Sequence, residues 1–72
     1  MNYINLKDEY IKLGQALKVI GVAESGAEAK IIINEGYVKV NNEEELRRGR
    51  KLYDGDVILV EGMLAKVIKN DN

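Results

Sequence analysis

Residues 25–41, SGAEAKIIINEGYVKVN, constrain the fold more than any other stretch, because a helix start, a helix stop and a strand follow one another within them. Ser25 and Glu28 form S-x-x-E, the capping box, in which the hydroxyl accepts from the third helical N–H and the carboxylate reaches back to the cap's own N–H. Gly36 supplies the positive-φ residue that ends such a helix. The reading is a helix from about Gly26 to Glu35, with Ala29, Ile32 and Ile33 on one stripe. The β-branched run Ile31–Ile33 is poor in an isolated helix, so packing must hold it. A strand over 30–34 fits the composition too, but the cap and the glycine favour the helix. Tyr37 to Val40 then reads as a strand, with Tyr37 and Lys39 on one face and Val38 and Val40 on the other.

The preceding segment repeats the pattern. Leu13, Ala16, Leu17 and Ile20 fall at i, i+3, i+4 and i+7, which predicts a helix from about Lys12 to Ile20 that Gly21 ends. Gly14 lies near its start, where glycine costs less than in the middle. Helices this short are not stable alone, so the two must pack as a pair against a sheet. Residues 3–6 read as a first strand, Asn41-Asn42 as a turn, 46–52 as extended, and 53–56 as a turn carrying the Asp-Gly signal. Strands at 57–60 and 64–68 flank a tight Glu61-Gly62 connection, and 69–72 read as a frayed tail. The order β-α-α-β-β-β is an α+β pattern. The expected core is Leu13, Leu17, Ile20, Ala29, Ile32, Ile33, Val38, Val40, Val57, Leu59 and Val67.

With 72 residues the chain is expected to be one domain, 1–72, with a small core. It has neither cysteine nor histidine, which removes disulfides, thiolate and imidazole metal sites, and His-based acid–base or nucleophilic chemistry. No cofactor motif or metal-ligand cluster is present, and Asp54 and Asp56 around Gly55 read as turn chemistry. No apolar run reaches the ~20 residues that span a bilayer. The segment MNYINLKDEY lacks the features of a signal peptide. A soluble cytoplasmic protein, with no membrane partner and monomeric, is the expectation. Net charge is −1, without the basic excess usual in nucleic-acid binders. The distribution says more than the sum: RRGRK at 47–51 holds four positive charges, directly after EEE at 43–45. A local positive patch results if the fold points the two clusters apart.

In order and in residues the chain resembles the S4 RNA-binding domain family. The matching positions are Lys12-Leu13, Leu17, Gly21, Ser25, Ala29-Lys30, Gly36, Val38, Val40-Asn41 and Gly55-Asp56, spread over roughly 12–60. More narrowly, ESGAEAK and RRGRKLYDGD are similar to the small stand-alone bacterial S4-like proteins. Two positions depart from the common pattern: Gly26 stands where many members have arginine, and Gly14 where many have aspartate. The resemblance implies an S4-like (αL) fold, two packed short helices against a mostly antiparallel sheet of about four to five strands. It also implies a non-enzymatic module that grips structured RNA, ribosomal RNA or ribosomal particles included, through helix N-termini, the helix–strand turn and basic side chains. Helix N-termini attract phosphates, and A-form RNA is read largely by shape and backbone.

The candidate RNA-binding residues are Lys12, Lys18, Ser25, Lys30, Lys39, Asn41, Arg47, Arg48, Arg50 and Lys51. Ser25 caps its helix in any case, and the N–H groups beside it suit a phosphate. Lys30 occupies the family's basic position on the second helix. Arginine forks onto phosphate, and Gly49 within the run allows close backbone approach. Pairing of the arginines with Glu43–Glu45 would blunt this cluster. Four tyrosines, at 3, 10, 37 and 53, read as half-buried packing, with no run of adjacent aromatics to form a stacking platform. The alternative function is a protein-interaction or assembly adaptor without RNA contact, suggested by the acidic pI of about 5.4.

Overall fold

A computed structural model describes residues 1–69. The elements are β1 (Asn2–Leu6), β2 (Ile11–Lys12), α1 (Leu13–Val19), α2 (Gly26–Asn34), β3 (Val38–Val40), β4 (Glu43–Glu44), β5 (Lys51–Leu52), β6 (Val57–Val60) and β7 (Met63–Lys69). Two helices pack on one face of a five-stranded sheet of order β1-β7-β6-β3-β4, and β2 pairs with β5 in a separate two-stranded ribbon. All pairings are antiparallel except β1 with β7.

The helix limits follow from their ends. Ser25 Oγ accepts from the Glu28 N–H at 3.1 Å. Glu28 reaches back, but one residue further than a capping box requires, to the Glu24 N–H at 2.9 Å. Gly21 and Gly36 both have φ above +80°. Gly36 donates to the Ile33 carbonyl and Tyr37 to that of Ile32, and Gly21 and Val22 repeat the arrangement on Lys18 and Leu17. Both ends are therefore Schellman motifs. Two hairpins close just as tightly: Asn41-Asn42 joins β3 to β4 and Glu61-Gly62 joins β6 to β7, with φ positive at all four residues. That is the type I′ geometry whose twist matches paired strands.

The core lies between the helices and the sheet. Ile4, Leu6, Val38, Val40, Ile58, Val60, Ala65 and Val67 face Leu13, Ala16, Leu17, Ala29 and Ile33, with Leu52 of the ribbon closing one end. Several expectations need correction. In β6 the buried residues are Ile58 and Val60, while Val57 and Leu59 turn outward and are half-buried. Ile20 and Ile32 sit at the core margin. Asn41-Asn42 is a hairpin turn leading into β4, an unexpected strand, and within 46–52 only Lys51–Leu52 is extended. Tyr37 precedes its strand. Lys69 belongs to β7 and pairs with Leu6; the remainder of the expected tail lies outside the described residues.

Candidate nucleic-acid interface

Glu45 organises the basic run. It is the one buried charged residue among those described. Its N–H donates to the Val38 carbonyl, which fixes it beside β3. Its carboxylate accepts from the Arg47 N–H, from Arg47 Nε and Nη2, and from Arg50 Nη1 at 2.8 Å. These guanidinium hydrogen bonds, Arg47's foremost, hold the Glu45 carboxyl at a pKa of about 2, well below the usual carboxylate range. The same pair raises Arg47 above its ordinary value. Glu43 and Glu44 make no ion pair among the described residues and lie in β4. The four-charge run is thus not four free cations: two of its arginines are folded back onto one buried acid.

The turn that Glu45 shapes then docks on α1. The carbonyls of Arg50 and Arg48 accept from the N–H groups of Leu13 and Gly14, at 2.8 and 3.0 Å. Backbone therefore caps the N-terminus of α1, and those two donors are not open to a phosphate. Gly14 is buried in this contact, and a Cβ there would sit 2.6 Å from Arg48 Cγ. The missing side chain lets Arg48 lie across the first turn of the helix.

The result is a groove of about 270 Å³ lined by Lys12, Gly14, Gln15, Lys18, Gly26, Arg48 and Gly49. Three glycines leave it unobstructed and three cations border it. None of Lys12, Lys18 or Arg48 forms an ion pair with a described residue. Gly26 is the first residue of α2, so the groove ends against that helix's N-terminus, next to Ser25. Arg47, Gly49, Arg50 and Lys51 surround a shallower depression beside it.

The structure brings Lys12, Lys18, Arg48 and the Ser25 cap together, with Arg47, Arg50 and Lys51 adjoining. It does not bring Lys39 or Asn41 to them. Lys39 points from the sheet face opposite Val38 and Val40, across from Glu44 and Leu59. Asn41 is committed to the sheet: its Nδ2 donates to Asp56 Oδ1 and its Oδ1 accepts from the Val57 N–H. Lys30 is exposed on α2 and has no ion pair among the described residues. The helix–strand turn lies at the far end of α2, beside a depression lined by Val22, Glu28, Ile32, Tyr37 and Glu61 that carries two acids and no base. Sequence reasoning missed Gln15 and the roles of Gly14 and Glu45. For Gly14 the hint was a glycine where the family pattern often has aspartate, beside the close backbone approach already read from Gly49.

No described helix is long and apolar enough to cross a membrane, and no described cluster of acids suits a metal ion.

The S4 domain family model matches residues 4–68. A Bacillus subtilis (strain 168) protein named "Probable ribosome maturation protein RlbA" is 51% identical over 61 residues, covering 85% of this chain and 86% of its own length. YbcJ of Escherichia coli (strain K12) is 39% identical over 62 residues, covering 86% and 89%. The solution structure of YbcJ, described as revealing an αL motif involved in RNA binding, superposes with a TM-score of 0.72 at 38% identity, over 94% of this chain and 87% of that one. The 30S ribosomal protein S4e of Thermoplasma acidophilum gives a TM-score of 0.66 at 26% identity; 90% of this chain matches 34% of that larger protein.

Proposed function

Because the chain belongs to the S4 domain family, we propose that it is a non-enzymatic RNA-binding module whose contact surface is the glycine-floored groove between α1, α2 and the 47–50 turn. One observation carries the reading: Lys12, Lys18 and Arg48 converge on that groove without acidic partners among the described residues, in a chain whose net charge is −1. Charge is placed there rather than spread, which suits a phosphate backbone passing along a defined track. Gly26 puts no side chain over the α2 N-terminus, where the N–H groups that Ser25 does not cap form the positive end of a helix dipole that favours an anion.

Lys30, Arg47, Arg50 and Lys51 are secondary contacts in this reading, with the two arginines exchanging Glu45 for phosphate only at some cost. Ser25 acts through its helix cap. In this reading the RNA is structured and ribosomal, which the ribosome-related names of the relatives support, and the protein acts in the cytoplasm as a monomer. Fluorescence anisotropy with a labelled ribosomal RNA hairpin, at rising salt, tests the proposal. Binding at low salt that weakens in Arg48→Ala and Lys18→Ala is expected. No binding at low salt, or affinity indifferent to both substitutions, would sink it.

A further inference from the structure

We propose that the outward face of the β2–β5 ribbon is a second RNA contact, adjoining the groove through Lys12, that takes one unpaired nucleotide, with the base against Tyr53 and the phosphate between Lys12 and Lys51. This rests on the RNA-binding reading above and names a feature of the RNA that the groove does not select.

The ribbon pairs Ile11 with Leu52 and Lys12 with Lys51. Leu52 is fully buried and Ile11 packs against the core, so that pair faces inward. Alternation turns the two lysines outward together with Tyr10 and Tyr53, one step along the strands. The contacts agree: the tyrosine ring centroids lie 6.0 Å apart, and Lys51 Nζ stands 4.8 Å from the Tyr10 centroid. Two residues from each of two distant segments thus form a basic and aromatic surface that no local run of sequence displays.

Two features of this surface are only partly accounted for by folding. Like charges directly opposite on paired strands are destabilising; neither lysine has an ion pair among the described residues, and the Tyr10 ring answers Lys51 but not Lys12. An anion between them turns that repulsion into attraction. Tyr53 is 48% exposed, although an aromatic added for packing alone would be better buried. Its backbone is rigidly held: its N–H donates to Asp56 Oδ2 at 2.7 Å, and its carbonyl accepts from the Asp56 N–H. A preplaced ring loses little freedom on binding. The turn's carboxylates are engaged elsewhere, Asp56 also by Asn41 and Asp54 by the Lys69 N–H.

The choice of nucleotide follows from geometry. A base within an A-form helix has both faces covered, whereas one in a bulge, loop or end can stack on an aromatic ring. Lys12 borders the groove and Lys51 the depression beside it, so a strand leaving the groove reaches this face directly.

The test compares two probes on the intact chain: single-stranded hexa-adenylate and a blunt RNA duplex. The wild type should bind hexa-adenylate with shifted Tyr53 ring resonances, and Tyr53→Phe, which keeps an aromatic ring, should bind it with similar affinity. Tyr53→Leu should bind it roughly 5- to 100-fold more weakly while keeping duplex affinity within about twofold, and Lys51→Gln should lower the salt slope for hexa-adenylate by about 0.7. Ring shifts in the wild type stand as an independent readout if Tyr53→Leu fails to fold. Duplex binding with no hexa-adenylate binding, or with tyrosine resonances and Tyr53→Leu affinity unmoved, overturns this site and leaves the groove reading intact. Failure of both probes overturns the RNA reading itself, and this inference with it.

Discussion

Arg48 lies across Gly14 so closely that a methyl group on the glycine would come within 2.6 Å of Arg48 Cγ. One residue is a gap and the other fills it, and in that fit the arginine lines the groove. Replacing Gly14 with alanine sets two effects against each other. Helix propensity favours alanine, by less than the ~1 kcal/mol of a helix interior because Gly14 stands near the helix start, and displacing Arg48 costs about 1 kcal/mol. Gly14→Ala should therefore change stability by less than about 1 kcal/mol in a urea titration, yet weaken RNA binding several-fold. Unchanged affinity would show that the placement of Arg48 does not matter.

The arginines of one run should not behave alike. Arg48 has no acidic partner among the described residues, whereas Arg47 and Arg50 are bonded to Glu45. Arg48→Ala should reduce the slope of log affinity against log salt by about 1. Arg47→Ala should reduce it by less, because its charge is already partly answered. Equal slopes in the two variants, measured by anisotropy, would contradict this division.

Glu45 makes stability sensitive to acid. Its folded pKa is about 2, against 4.5 unperturbed, because the Arg47 and Arg50 guanidiniums favour the carboxylate. A depressed pKa contributes stability that is complete above the unfolded value and is lost as pH falls toward the folded one. Melting temperature should thus drop between about pH 4.5 and 2, and Glu45→Gln should flatten that part of the curve. At neutral pH the same variant should lose about 1–3 kcal/mol, the usual range for hydrogen bonds to charged groups.

Neighbours in β6 should differ sharply. Ile58 is fully buried and Leu59 is not. Ile58→Ala should cost about 2–5 kcal/mol, and Leu59→Ala clearly less, both read from chemical denaturation. Equal losses would mean that the sheet's outward face is covered in solution.

Both helices were legible because their punctuation is local: Ser25, Glu28, Gly21 and Gly36 act within a few residues of where they stand. The family was legible for the same reason. The phase of β6 was not, since Val57 to Val60 are all apolar and no polar residue marks the outer face. Nor was the ribbon, whose strands are two residues each and come together where Leu13 and Gly14 bond to the Arg50 and Arg48 carbonyls. The acids of 43–45 look equivalent in sequence, but only Glu45 is carried inward by its bond to Val38. Tyr10 and Tyr53 become neighbours through that same ribbon, so no search for adjacent aromatics finds them.

The parallel pairing of β1 with β7 bears on how the chain reaches this fold. Asn2 lies opposite Ala65 and Leu6 opposite Lys69, so almost every other residue belongs to the crossover between these partners. During synthesis Ile4 and Leu6 have nothing to pack against in the sheet until residues 63–69 have emerged. Such distant contacts slow folding, and here they delay completion of the sheet until β7 is available. A stalled or shortened chain would expose the first strand's apolar side, an evident handle for quality control.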